Sequence, residues 1–322
     1  MQIGVLGRLQ VVRHGTEIDL GPHKQRALLT ALALHAGEVV SLDRLADLVW
    51  GDLPPAAVTA SVHGYVAALR RLLEPDRTAR SAATVLLTAP PGYRLQLSEA
   101  TVDAAEFTST AEAVHRLAPS DVLQLQVPHR APELEELLDR VETALSLWRG
   151  DPYLELDTHV DVHAERARLQ ELRDRAVQDR ARILLALGRP SVAAADLADL
   201  VSRDPLREDT TAVLALSLAR SGRQVEALQA LRAHRGALAA ELGLDPGPAL
   251  RDLELAILRQ DPHAVPATPA ASPGVSAPMP QPPAPSDDFS DSTWASAEPL
   301  VGRDHELRGL RKVLDQAEFG QP

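Results

Sequence analysis

The sequence predicts a mainly α protein: an N-terminal winged helix-turn-helix of α+β type, followed by an all-α domain of tetratricopeptide type. Three observations predict it. Over residues 1–97 the elements read as short strands, three helices and a hairpin. From residue 103 to 262 the pattern is helical almost throughout. Within that stretch two Gly-Arg pairs, at 188–189 and 222–223, stand 34 residues apart, the tetratricopeptide period.

Each element follows from local chemistry. Residues 2–20, QIGVLGRLQVVRHGTEIDL, alternate Val and Ile with other residues, and His14-Gly15 marks a turn between strands. HKQRALLTALALHAG is a helix stopped by Gly37. SLDRLADLVWG is a second helix, with Ser41 as N-cap, Leu42, Leu45 and Val49 on one face, and Gly51 as the stop. After the proline-bearing DLPPA comes a third helix, expected to follow the second through a tight turn. TVLLTAPPGYRLQL, 84–97, reads as two strands around PPG. Beyond it, helix pairs flank each Gly-Arg, with RDPLRED as the turn between the two units, an α-solenoid pattern. Residues 263–297 are rich in Pro, Ala and Ser and are expected to be a linker without a core; 298–322 read as the start of a further module.

Composition narrows the function. The chain has no cysteine, which excludes disulfides and thiolate chemistry. It has no apolar run long enough to span a membrane and no signal-peptide pattern, so a cytoplasmic protein without membrane partners is expected. The net charge is −12, but it is unevenly spread. Residues 1–97 hold ten Lys+Arg against eight Asp+Glu, whereas 98–262 hold 19 against 29. Salt screens charge over roughly 10 Å at 0.1 M, so the local balance decides, and the first 97 residues are the plausible nucleic-acid face.

The third helix sharpens this. On a helical wheel Val58, Val62, Tyr65, Val66, Leu69, Leu72 and Leu73 form one stripe, expected in the core. The opposite face holds Ala60, His63, Gly64 and Ala67, with Thr59 at its edge and Arg70 and Arg71 near its end. There is no acidic residue from Leu53 to Leu73, and none of the Glu/Lys pairs usual on solvated helices. Small side chains let a helix enter the major groove, and guanidiniums reach phosphates or guanine edges. An Ala-rich surface helix is the plainer alternative.

Residues 1–262 resemble the Streptomyces antibiotic regulatory protein family, the AfsR/DnrI type of activator. The matching stretches are VLGRLQVV, LGPHKQRALLTALALHAGEVVSLDRLADLVWGDLPP, VHGYVAALRRLL, LLTAPPGYRL, ALSLWRG, SGRQVEAL and ELGLDPGPALRDLELAILRQDP. The resemblance implies an OmpR-like winged helix over 1–97 and a bacterial transcriptional activation domain over 98–262. It implies binding to direct repeats of double-stranded DNA by side-by-side protomers, and recruitment of RNA polymerase or its sigma factor. It makes Val58–Leu73 the recognition helix, with Thr59, His63, Ala67, Arg70 and Arg71 as candidate contacts. Lys24 and Arg26 match a basic motif of the family that implies phosphate contact; solvation of a helix end is their other reading. Tyr93 and Arg94 match the wing; for Tyr93 a packing role is equally open. Trp50 reads as core. Many relatives carry arginine where this chain has Ala68, which puts the target sequence in doubt. The segment 51–56 matches the loop that faces polymerase in OmpR-like activators, with a simple turn as the alternative.

Other chemistry falls away. His159, Asp161 and His163 are spaced two apart, but nothing elsewhere supplies a matching ligand, so loop histidines are the simpler account and no metal is expected. LVGRDHEL, 300–307, resembles the opening of the ATPase module of longer relatives, yet the chain contains no Gly-Lys pair for a phosphate loop. The first strand begins at residue 2, so no receiver domain is expected ahead of it. No enzymatic activity and no cofactor are expected. The alternative function is a tetratricopeptide adaptor with a winged helix that does not read DNA.

Overall fold

The structure is a computed structural model that describes residues 1–78, 81–98, 100–119, 131–156 and 160–261. Strand β1 (Gln2–Gly4) pairs antiparallel with β2 (Gln10–Arg13), and β2 with β3 (Thr16–Glu17). His14 and Gly15 join β2 to β3 with φ of 50° and 77°, the left-handed backbone that a two-residue hairpin turn requires. Helix α1 (His23–Leu34) ends three residues before the expected stop at Gly37. β4 (Val40–Ser41) runs directly into α2 (Leu42–Trp50), where the Ser41 hydroxyl accepts the Arg44 N–H at 3.2 Å as the predicted cap. Helix α3 (Val58–Leu73) is followed by β5 (Leu86–Ala89) and β6 (Gly92–Leu95), which join β4 in a sheet of order β4-β6-β5.

Between α2 and α3 the structure departs from the expected tight turn. The whole of Gly51–Ala57 is an exposed loop, with Leu53 85% accessible. Pro54 and Pro55 lack the N–H that a continuing helix would need, which keeps the loop open.

The helical part comprises α4 (Asp103–Leu117), α5 (Ala131–Ser146), α6 (Val160–Ala186), α7 (Pro190–Arg203), α8 (Glu208–Arg220), α9 (Gln224–Leu242) and α10 (Pro248–Leu258). Successive helices pack on one another, and α6 also touches α4 and α8. The two Gly-Arg pairs are repeated helix stops. Gly188 and Gly222 have φ of 74° and 78°, while Arg189 N–H donates to Leu184 O at 2.8 Å and Arg223 N–H to Leu218 O at 2.9 Å. These are the six-to-one bonds of a left-handed glycine cap. Asp161 and His163 lie at the start of α6, not in a loop; His159 lies outside the described residues, as do 263–297 and 298–322. No described helix is long and apolar enough to cross a membrane.

The two parts form one compact unit. An unpredicted strand, β7 (Thr101–Val102), pairs parallel with β1 through Gln2↔Thr101 and Ile3↔Val102. Asp103, the next residue, accepts Val5 N–H at 2.7 Å, Leu6 N–H at 3.2 Å and the Arg149 guanidinium at 2.7 Å. Arg149 N–H donates to Leu6 O and Tyr153 N–H to Val5 O, both at 2.7 Å. The buried Glu155 accepts Leu9 N–H at 2.9 Å and lies 3.9 Å from Arg26 Nε. Arg44 of α2 is ion-paired with Asp161 of α6. Phe107 meets Trp148 edge-on at 5.4 Å beneath this junction.

Two outcomes follow for stability. Asp103→Ala orphans two part-buried amides and removes the carboxylate paired with Arg149, and urea unfolding will show a loss of about 1–3 kcal/mol. Gly92 pairs with Ser41 so closely that a Cβ would overlap the Val40 carbonyl; Gly92→Ala will cost about 1–3 kcal/mol in the same measurement.

Candidate nucleic-acid interface

Helix α3 buries Val62, Val66, Leu69 and Leu73, with Val58, Tyr65 and Leu72 half-buried. The predicted stripe is thus the side that holds the helix down. Tyr65 stacks on the half-buried Trp50, ring centroids 6.2 Å apart, which fixes the end of α2 against α3. The outward face carries Thr59, Ala60, His63, Gly64, Ala67 and Arg71, all exposed. A Cβ at Gly64 would meet no atom within 4 Å, so nothing in the fold demands glycine there. Among the described residues no hydrogen bond or ion pair engages the Arg71 side chain.

Of the other site residues, Arg70, Tyr93, Lys24 and Arg26 are engaged inside the fold. Arg70, half-buried, donates to Leu86 O from Nε at 2.8 Å and from Nη2 at 2.6 Å, and to Thr88 Oγ1 at 2.9 Å. Its guanidinium carbon lies 5.6 Å from the centre of the Tyr93 ring. Tyr93 is buried, 7% accessible, and His63 stands edge-on to it at 6.1 Å. Arg94 is half-buried with its Nε unbonded among the described residues. Lys24 Nζ donates to Val49 O at 2.7 Å, placing a cation at the carbonyl end of α2, where the helix dipole favours it. Arg26 Nη1 donates to Gly21 O at 2.9 Å and pairs with Glu155. Ala68 is half-buried.

Thus Thr59, His63, Ala67 and Arg71 come together on one open face. Arg70 and Tyr93 join that helix to the β5–β6 hairpin, while Lys24 and Arg26 sit at the base of α1. Sequence reasoning missed Glu74 and Thr88. Glu74 Oε1 accepts Thr84 N–H at 2.6 Å and also the Val85 N–H, pinning the root of the hairpin to the end of α3. A lone carboxylate just past a helix end was the only signal available for it.

Electrostatics set this face apart. The helical domain places several of its arginines in ion pairs: Arg180 with Glu142 and Asp196, Arg207 with Glu171 and Asp204, Arg189 with Glu135. Arg207 has its pKa raised by the hydrogen bonds it donates to Glu171 and then to Asp204. On α3, by contrast, no carboxylate neutralises the exposed face.

Comparisons with known proteins agree with this architecture. Residues 15–95 match the family described as transcriptional regulatory protein, C terminal, and 102–258 the bacterial transcriptional activator domain. The regulatory protein DnrI of Streptomyces peucetius is 34% identical over 265 residues, covering 81% of this chain and 93% of DnrI. The transcriptional regulatory protein EmbR of Mycobacterium tuberculosis is 35% identical over 263 residues, and the chain spans only 64% of its length. The structure of EmbR in complex with a low affinity phosphopeptide superposes with a TM-score of 0.66 at 34% identity, over 80% of this chain and 65% of that one. A winged helix joined to an activator domain in this order, matched across nearly all of DnrI, places the chain in the Streptomyces antibiotic regulatory protein family of transcriptional regulators.

Proposed function

We propose that the chain is a sequence-specific DNA-binding activator of a secondary-metabolite gene cluster. In this reading α3 enters the major groove, with Thr59, His63 and Ala67 at base edges and Arg71 on phosphate or guanine, and the hairpin with Arg94 reaches the flanking backbone. Lys24, Arg26, Arg70 and Tyr93 serve by holding that surface in shape. Protomers sit side by side on direct repeats, and the exposed loop Gly51–Ala57 meets RNA polymerase or its sigma factor. The observation that carries the reading is the open face of α3: small, free of carboxylates, and bearing an exposed arginine. The family supports the regulatory role, and a DNA-reading helix gives that role a physical means.

The test is a selection from random duplex DNA with the full chain, followed by salt titration. A direct repeat bound at least about a thousandfold more tightly than scrambled DNA is expected. Arg71→Ala will flatten the slope of log affinity against log salt by about 0.9, the signature of one lost phosphate contact. Failure to enrich any sequence would overturn the reading and turn attention to protein ligands of the helical domain.

Gly64 gives an outcome of opposite sign in two assays. Gly64→Ala will stabilise the protein by up to about 1 kcal/mol, because alanine is the better helix former and its Cβ enters open space. The same change will weaken binding to the selected repeat, because the methyl group stands where the helix approaches the groove.

A further inference from the structure

The structure assigns Arg70 a positioning role: it fixes the wing to α3, and through that bond sets the angle at which helix and wing meet DNA together. This rests on the DNA-reading proposal above and gives Arg70 a task different from that of its neighbour Arg71.

The argument starts from the edge of a sheet. In the order β4-β6-β5 the strand β5 has no neighbour on its outer side. Val85 O accepts Gln96 N–H at 2.8 Å from the β6 side. Backbone groups alternate sides along an antiparallel strand, so the next carbonyl, Leu86 O, faces outward from the sheet. An outward edge carbonyl is ordinarily left to water or to another chain. Here both Nε–H and Nη2–H of Arg70 close on it, and Nη2 also reaches the Thr88 hydroxyl two residues along the same edge. The guanidinium fork thereby spans two positions of β5 from one position of α3.

The other side of the hairpin is held as well. Tyr93 of β6 lies opposite Thr88 and is paired with Val40 of β4. Its ring packs against the Arg70 guanidinium and receives the edge of His63. His63 therefore stands on the open face of α3 while touching the same ring that steadies the wing. Glu74 secures only the root of the hairpin, at Thr84 and Val85. Arg70 is the contact that reaches further along it. With Arg70 removed, the wing keeps its root, its β4 pairing and the His63 ring contact but loses its hydrogen-bonded tie to the helix.

The decisive variant is Arg70→Gln. The glutamine Nε2 occupies the place of the arginine Nε, so it keeps the donor to Leu86 O while removing the charge. Two measurements on the full chain are compared for wild type, Arg70→Ala and Arg70→Gln: amide hydrogen exchange across Leu86–Leu95 without DNA, and salt-dependent binding to the selected repeat. Arg70→Ala is expected to speed wing exchange and weaken binding, each at least about tenfold, the scale of a lost charge-assisted bond. Arg70→Gln, which keeps one donor to Leu86 O but loses the Nη2 bonds and the charge over Tyr93, is expected to exchange and to bind between wild type and Arg70→Ala, with an unchanged salt slope. Binding by Arg70→Gln as weak as that of Arg70→Ala, with a slope lowered by about 0.9, would make Arg70 a phosphate contact and overturn the proposal. So would wing exchange in Arg70→Ala equal to that of wild type. If no DNA is enriched at all, the DNA-reading proposal fails by itself, and the exchange comparison still decides whether Arg70 holds the wing. Should Arg70→Ala not fold, Arg70→Leu, which keeps an aliphatic stem and has no donor, takes its place in both measurements.

Discussion

The arrangement of this molecule depends on the carboxylate of Asp103. It begins the first helix of the activator domain, and its oxygens take the amides of Val5 and Leu6 from the chain that leaves β1. The same carboxylate receives Arg149, whose backbone N–H returns to Leu6 O. One small anionic group thus ties together the opening strand, the start of α4 and the segment after α5. Glu155 repeats the device one layer away with Leu9 and Arg26. Because Arg26 belongs to α1, on which α2 and α3 pack, α3 is braced from the helical domain.

What the sequence disclosed was local. Ser41 capped its helix because a hydroxyl before an apolar-periodic run has one good use. The Gly-Arg pairs ended helices because only glycine enters the left-handed region cheaply there. The apolar stripe of α3 separated its two faces, since burial follows the helical period. What stayed hidden was non-local. β7 is two residues long, too short to show alternation, and its partner lies about a hundred residues earlier. The wheel placed Arg70 on the outer face because arginine counts as polar, yet its acceptor is an edge carbonyl on another element. Tyr93 was open between contact and packing; its burial at 7% follows from β6 being the central strand of its sheet. The loop Gly51–Ala57 runs longer than a tight turn because Pro54 and Pro55 cannot donate to a continuing helix.

The acidity of the chain and its proposed partner are compatible once arginine is sorted by what it touches. In the helical domain arginines bridge successive helices, as Arg180 does between α5 and α7. Each such surface pair contributes only about 0–1 kcal/mol, and over residues 98–262 acidic residues outnumber basic ones by 29 to 19. The exposed face of α3 carries Arg71 and no carboxylate of its own helix. Field direction, not total charge, then determines which surface an anionic polymer meets first.

Strand β7 carries a practical consequence. A fragment cut at Leu97, where composition and family matches divide the chain, would leave without β7. In the order β3-β2-β1-β7 its loss turns β1 into an edge. Ile3, Val5 and Leu6, all fully buried in the intact chain, would sit beside that edge, Val5 and Leu6 with their amides unpaired. A flat apolar edge with free N–H groups is a template for strand addition between chains. The isolated winged helix is therefore prone to self-aggregation, and the natural unit of handling for this protein runs through the helical domain.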